Sequence, residues 1–415
     1  MIEISGFSHV VWPISTRLLV RFRPTGGLAD RRAAGRMPFA MQLTRRRTAL
    51  ALSIALLLAL AVAPVDVHLR AASLLSRFSD PQAQGVLADY GRYEIDVEPL
   101  ILSLSKQIPA RLYRPRNAAD RGALVLIHGV HQLGIDEPRL VRFARAIAGT
   151  GLSVLTPQVD ELAQYRIEEG TVDLIGGAAR ALRERTGRKV GVMGLSFAGG
   201  LSLLAAADER FQGDIGYVVA VGAHDDLARV LRFLATDEIE RPDGTLAHLK
   251  AHEYGLLVLA AGQPRALFSP EDAPAAQKAA HLFLRDDEPG ARRLLEALSP
   301  EGKARLGALF EHRIPPVAAS LSSALDPLRR ALAAVSPHGR LQRLRAPCFI
   351  LHGSGDNVIP ASEALWLEKD LPPGLSRSVL VSPAIVHVEL GEVSTRDRVD
   401  LIHFLAQVLA AAQGA

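Results

Sequence analysis

The 415-residue chain has one cysteine, Cys348. That single thiol excludes an intramolecular disulfide and a thiolate zinc site together, and with no bridge to interpret, the redox compartment stays open. The chain also lacks internal repeats and low-complexity tracts. At 48% hydrophobic and 22% charged residues, its composition is that of a globular chain and not of a disordered one. A basic body is missing as well, although the formal net charge is +4. Nine arginines and only two acids fall within residues 1 to 47, and beyond them 39 basic residues face 42 acidic ones, a net −3. A body of that sign has no positive footprint to neutralise phosphates, which excludes a general nucleic-acid binder.

What is present begins with one long apolar run. Residues 48–65 (TALALSIALLLALAVAPV) carry no charge over 18 positions and follow Arg45, Arg46 and Arg47. Roughly 7 to 15 apolar residues suit a secretory leader and roughly 17 to 25 a membrane span, so the run is expected to be a signal or an anchor helix. Arginines held on the cytoplasmic side place the body outside the cytoplasm, exported or anchored in the inner membrane. The alternative is a buried core helix in a cytoplasmic protein. Ala59-Leu60-Ala61 and Ala61-Val62-Ala63 are small-residue cleavage patterns, the second hindered by Pro64. Residues 1–36 fit no targeting template and read as a poorly ordered extension or as an over-long reading frame, with Met37 and Met41 standing where a leader's basic region begins.

Residues 66–92 are expected as a linker. From 93 onward, short apolar runs alternate with longer amphipathic stretches. The expected strands are Ala110–Tyr113, Ala123–His128, Ser153–Pro157, Lys189–Gly194, Tyr217–Gly222, Cys348–Gly353 and Ser378–Ser382. Their near-continuous Val, Ile and Leu indicate strands covered on both faces. With helical patterns at Glu137–Ala148, Thr171–Arg185, Ser196–Ala207 and Arg396–Ala412, this is the signature of a doubly wound, mostly parallel α/β sheet. The rhythm breaks between Gly222 and Cys348, where helical periodicity, prolines and charge fill the interval. The expected organisation is a core over 93–223, an all-helical cap over 224–346 and the rest of the core over 347–415.

Chemistry concentrates where strands end. Lys189–Gly194 runs into Gly194-Leu195-Ser196-Phe197-Ala198-Gly199-Gly200 and then a helix, which is a nucleophile elbow with Ala198 at the usual last glycine. A serine hydroxyl needs a histidine base, and that imidazole needs an acid to fix its tautomer and stabilise its cation. Asp356 lies on the Gly-rich loop after Cys348–Gly353, and His387 follows the last strand, so nucleophile, acid and histidine come in the order Ser196, Asp356, His387. His128-Gly129-Val130 ends another strand. The backbone N–H groups of Val130 and Phe197 are the simplest oxyanion donors, with Gly129 and His131 at the substrate. Asp225 and Asp226 are competing acids better read as charges opening a helix, and Asp160 as a loop residue. His248 and His252, four apart, are expected on one helix face without a metal. Cys348 reads as a small core residue.

With HGV at 128–130, GLSFAG at 194–199, HGSGDNVIP at 352–360 and the late His387, the sequence over about 95–412, the insertion aside, resembles the α/β-hydrolase family. The resemblance implies a serine hydrolase without a cofactor, acting on a small-molecule ester or thioester through Ser196, Asp356 and His387, with a cap where the insertion lies. A serine peptidase and a non-catalytic binding protein on the same fold are the alternatives.

Overall fold

The computed structural model describes residues 64–118, 121–311, 313, 328–386, 389–390 and 394–415. The first strands are β1 (Ile95–Ser103), β2 (Gln107–Pro115) and β3 (Ala123–Ile127). Helix α2 (Pro138–Ala148), β4 (Ser153–Pro157), α3 (Asp160–Ala163), α4 (Gly170–Thr186), β5 (Val190–Leu195), α5 (Phe197–Ala207) and β6 (Ile215–Val221) follow. The core closes with β9 (Cys348–Gly353), α12 (Ser362–Asp370), β10 (Ser376–Ser382) and α13 (Thr395–Gly414). A helix over residues 64–79, α1, precedes them all.

The eight strands form one sheet in the order β1-β2-β4-β3-β5-β6-β9-β10. Strand β2 pairs antiparallel with both β1 and β4, whereas the pairs from β4 to β10 are parallel, so β2 alone runs against the rest. Every residue of β3 and β9 is buried, which is why continuous apolar runs and not alternation marked these strands. The expected strands are all present, with ends shifted by a few residues. Strand β1 went unread because it lies at the sheet edge: its burial alternates, it carries Asp96 and Glu98, and Pro99 is tolerated only there.

Alternate side chains of the strands feed two cores. One packs β-strand residues such as Val125, Val192 and Ile350 against α4, α5 and the insertion. The other packs Leu126, Met193, Val219 and Leu351 against α1, α2 and α13.

The expected linker therefore begins as a structural helix. Val67, Ala71, Leu74 and Leu75 recur at helical spacing and are buried on the sheet. Arg70, itself buried, binds Asp66 at 2.9 Å, one turn back, and donates to the Gly91 carbonyl at 2.9 Å and the Thr150 carbonyl at 3.3 Å. Ser73 Oγ donates to the Ala88 carbonyl at 2.7 Å. These polar anchors tie 64–93 to the core, and nothing in local composition announces them. Among the described residues no helix is long and apolar enough to cross a membrane. The apolar run expected to do so lies outside the described residues except for its last two positions.

The insertion between β6 and β9 holds α6 (Leu227–Thr236), β7 (Glu238–Glu240), β8 (Leu246–His248), α7 (Tyr254–Gly262), α8 (Ala273–Phe283), α9 (Glu288–Leu294), α10 (Pro300–Phe310) and a helix over 328–334, α11. It is not all-helical. Strands β7 and β8 pair antiparallel across Asp243-Gly244, where Gly244 has φ +81° and Asp243 accepts from the Thr245 N–H at 2.9 Å. Asp-Gly is a hairpin signal that helical periodicity on either side obscured. His248 ends β8 and His252 lies in the loop before α7, so the two do not share a helix face as expected.

If 64–79 were a linker, changing Arg70 would leave stability unaltered. The buried carbonyls of Gly91 and Thr150 predict instead that Arg70→Ala costs about 2–3 kcal/mol, seen as a lower midpoint in urea unfolding.

Candidate active site

Strand β5 hands the chain to α5 through Ser196, whose φ of +56° and ψ of −133° lie where residues other than glycine are strained, at a cost of about 1–3 kcal/mol. The turn is possible because its neighbours are small. A Cβ on Gly194 would sit 2.2 Å from the Ala198 carbonyl oxygen, one on Gly199 would sit 2.6 Å from Ala223 Cβ, and one on Gly200 would sit 2.5 Å from the His224 ring. The crowding at position 198 falls on its backbone oxygen, which also accepts from Ser202 Oγ at 2.7 Å. Alanine in place of the usual glycine therefore does not disturb the elbow.

Phe197 opens α5, so its N–H belongs to the first turn, which a helix leaves without intrahelical acceptors and which favours negative charge. Gly129 lies against Ser196: a Cβ there would be 3.4 Å from Ser196 Cβ. The loop after β3 is held from both sides. His128 is buried, with Nδ1 donating to the Gly129 carbonyl at 2.7 Å and Nε2 accepting from the Val159 N–H at 3.1 Å. Burial pushes its pKa down to about 4, so it is a neutral structural histidine. On the other side the Tyr254 hydroxyl, from the insertion, donates to the Val130 carbonyl at 2.7 Å. Tyr254 was not singled out in the sequence. An isolated tyrosine at the start of an insertion helix carries no local signal, because its partner is 124 residues away.

Asp356 is fully buried on the loop after β9, where Oδ1 accepts from the N–H groups of Val358 and Ile359, both at 3.0 Å. The following residues, Asn357 and Val358, share one cavity with Gly129, Val130, His131 and Ser196. His387 lies outside the described residues.

The competing acids are engaged elsewhere. Asp226 caps α6 through the Ala228 N–H at 2.8 Å, and Asp160 stands at the surface 3.8 Å from Lys106. Asp225 is buried with its carboxylate 2.7 Å from Arg229, which also binds Glu363 at 2.6 Å. Burial and the Glu363 charge push Asp225 up to about 7. Asp225, His338 and Asp370 are the one group of three potential metal ligands among the described residues. His338 Nδ1 already bridges the two carboxylates at 3.2 and 2.7 Å, and Arg229 stands on Asp225, so the cluster is a hydrogen-bonded one. Cys348 is buried, and burial raises its thiol pKa far above the ordinary range.

The buried titrating groups have opposing consequences. His224, like His128, is held neutral by burial with a pKa of about 4, against an ordinary 6.5. Unfolding takes up protons at both histidines, so their contribution to stability falls as pH drops from about 6.5 to about 4. Asp225 holds a proton in the fold that the unfolded chain releases, so its contribution rises as pH drops from about 7 toward 3.8. Asp225→Asn removes the opposing term, and acid unfolding of that variant followed by calorimetry is expected to show a steeper loss of stability, by about one proton per molecule.

No family model matches this chain, and no curated protein matches it. Solved structures do resemble it. A 2,6-dihydroxy-pseudo-oxynicotine hydrolase is 15% identical over 77% of this chain and 70% of its own, with a TM-score of 0.42. A meta-cleavage product hydrolase from Pseudomonas fluorescens is 18% identical, covering 75% and 98%, at 0.41. An esterase from Pyrobaculum calidifontis is 15% identical, covering 78% and 87%, at 0.38. Likeness of that degree carries nothing about substrate or mechanism. The chain's own strand order, its single reversed strand and the strained serine between β5 and α5 are those of the α/β-hydrolase fold.

Proposed function

We propose that the chain is a serine hydrolase that cleaves a carboxylic ester or thioester. The observation that carries this reading is Ser196, held at φ +56° on the elbow and facing an apolar cavity of about 470 Å³. A backbone strained at that one residue is retained where the side chain must be presented. Ser196 Oγ bonds to the acyl carbon while its proton passes to His387, and the carbonyl electron pair moves onto oxygen between the N–H groups of Val130 and Phe197. Collapse breaks the bond to the leaving alcohol or thiol, which takes the proton from His387. Water then repeats the sequence on the acyl-enzyme, with His387 as base, and releases the acid. Asp356 orients the imidazole and stabilises its cation. The insertion acts as a cap over this edge, a role supported by Tyr254 and His252 at the cavity. The apolar run after Arg47 serves as a signal or anchor and places the body outside the cytoplasm, a reading supported by its composition alone.

Two measurements follow. Ser196→Ala is expected to lower hydrolysis of p-nitrophenyl esters by about a thousandfold or more and to abolish labelling by a fluorophosphonate. Unchanged turnover in that variant would overturn the assignment, and a folded wild-type protein that never labels would favour a non-catalytic role. Tyr254→Phe loosens the loop that carries Val130 and is expected to reduce kcat about fivefold with KM little changed, the equivalent of about 1 kcal/mol.

A further inference from the structure

The cavity at Ser196 does not lie under the insertion's own core. Below the nucleophile its floor is made by Met193, Leu195, Val219, Val221 and Leu351. These residues alternate along β5, β6 and β9 and so share one face of the sheet. That face is covered by α1, α2 and α13, whereas the insertion packs into the core on the opposite face. Met193 stands three residues before Ser196, so the floor reaches about 10 Å down the strand from the reacting hydroxyl.

The charged lining residues, Glu137 and Arg139, are paired with each other at 2.7 Å and act on His131 and Tyr254, at the polar end that also holds His128, His252 and Asn357; the walls from β5, β6, α1 and α13 are apolar. Helix α1 supplies one wall through Leu74, Leu75 and Phe78, and α13 another through Leu401, Phe404 and Leu405. Phe78 and Phe143, with ring centroids 4.8 Å apart, also line it.

We infer that this cavity holds the unbranched aliphatic acyl chain of the substrate, and that α1 is the element that sets how long that chain can be. The inference rests on the proposed hydrolase reading and narrows it to esters of medium- or long-chain carboxylic acids. A slot that begins at the nucleophile and runs between apolar walls, with its one pair of charges already joined to each other, rewards methylenes. It discriminates by length until it is filled.

The test is the chain-length profile of p-nitrophenyl acetate, butyrate, octanoate and dodecanoate, which vary the acyl side alone. In the wild-type chain kcat/KM is expected to rise by about twofold per methylene, about half of the full transfer free energy, giving octanoate an advantage over acetate of about a hundredfold across six methylenes. Leu74→Trp on α1 and Leu405→Trp on α13 each shorten the slot and should cut the octanoate-to-acetate ratio at least about tenfold. Phe143→Ala lengthens it and should shift the optimum toward dodecanoate. The ratio is taken within one preparation, so loss of folded protein does not move it. Hydrolysis that depends on Ser196 but has a flat profile, or a ratio that neither tryptophan moves, overturns the acyl slot and leaves the hydrolase reading standing. If no ester is turned over, that reading fails on its own, and the slot is tested by displacement of a fluorescent aliphatic probe with dodecanoate from the full chain. Displacement that Leu74→Trp weakens supports the slot, and displacement that it leaves unchanged, or none at all, overturns it.

Discussion

Everything at the carboxyl edge of the sheet depends on one backbone constraint, the reversal at Ser196. A strand ending at Leu195 and a helix beginning at Phe197 leave a single residue to turn the chain, and it turns at φ +56°. The strain is borne by burial around it: all of α5 is buried, and Gly194, Gly199 and Gly200 let its first turn press against β5, Ala223 and His224. The Ser196 N–H is tied to the Val221 carbonyl at 2.7 Å, so the serine is fixed to the end of the neighbouring strand. A serine held this way cannot relax toward a helical φ without disturbing the centre of the sheet.

The same logic explains which parts of the molecule were legible. Strands β3, β5, β6 and β9 are buried on both faces, so they read as near-continuous apolar runs without polar alternation, and the loops at their ends announced Gly129, Ser196 and Asp356. Strand β1 escaped because an edge strand with half its side chains in water resembles a polar segment. Helix α1 escaped for a different reason. Its apolar face continues a longer apolar run, and the contacts that make it structural come from Arg70 and Ser73 reaching backbone carbonyls 15 to 80 residues away. Tyr254 is the same kind of case: its side chain matters through a partner brought near only by folding. Propensity and spacing reveal local constraint and are silent on long-range polar contacts.

Charge on the two sides of the sheet is handled in different ways. On the insertion side, Arg229 is shared between Asp225 and Glu363, joining the first residues after β6 to α12. Burying a guanidinium with two carboxyl groups is costly, and removing one partner leaves the others uncompensated, so the insertion is locked to the core at this point. On the other side, Asp66 is held below the usual carboxylate range. Burial acts to raise it, and Arg70, Tyr90 and Arg121 outweigh that effect. Each long-range connection is thus made by an arginine, whose several donors in a fixed fork can satisfy a carboxylate and backbone carbonyls together.

Helix α1 joins the two halves of the functional argument. Its described residues, 64–79, follow both small-residue patterns at which a leader could be cut, so removal of residues up to Ala61 or Ala63 leaves Asp66, Arg70 and Leu74 in the chain. Leu74, Leu75 and Phe78, which line the cavity, are therefore kept whether the proposed leader is retained or lost. Had α1 been part of the leader, cleavage would have opened the slot beside Ser196 to water, and an apolar surface made of Met193, Val219, Phe404 and their neighbours would have lost its cover. The position of Leu74, Leu75 and Phe78 beyond both cleavage patterns, and not the length of the apolar run before them, is what would make the proposed export compatible with the proposed acyl-binding site on this face of the sheet.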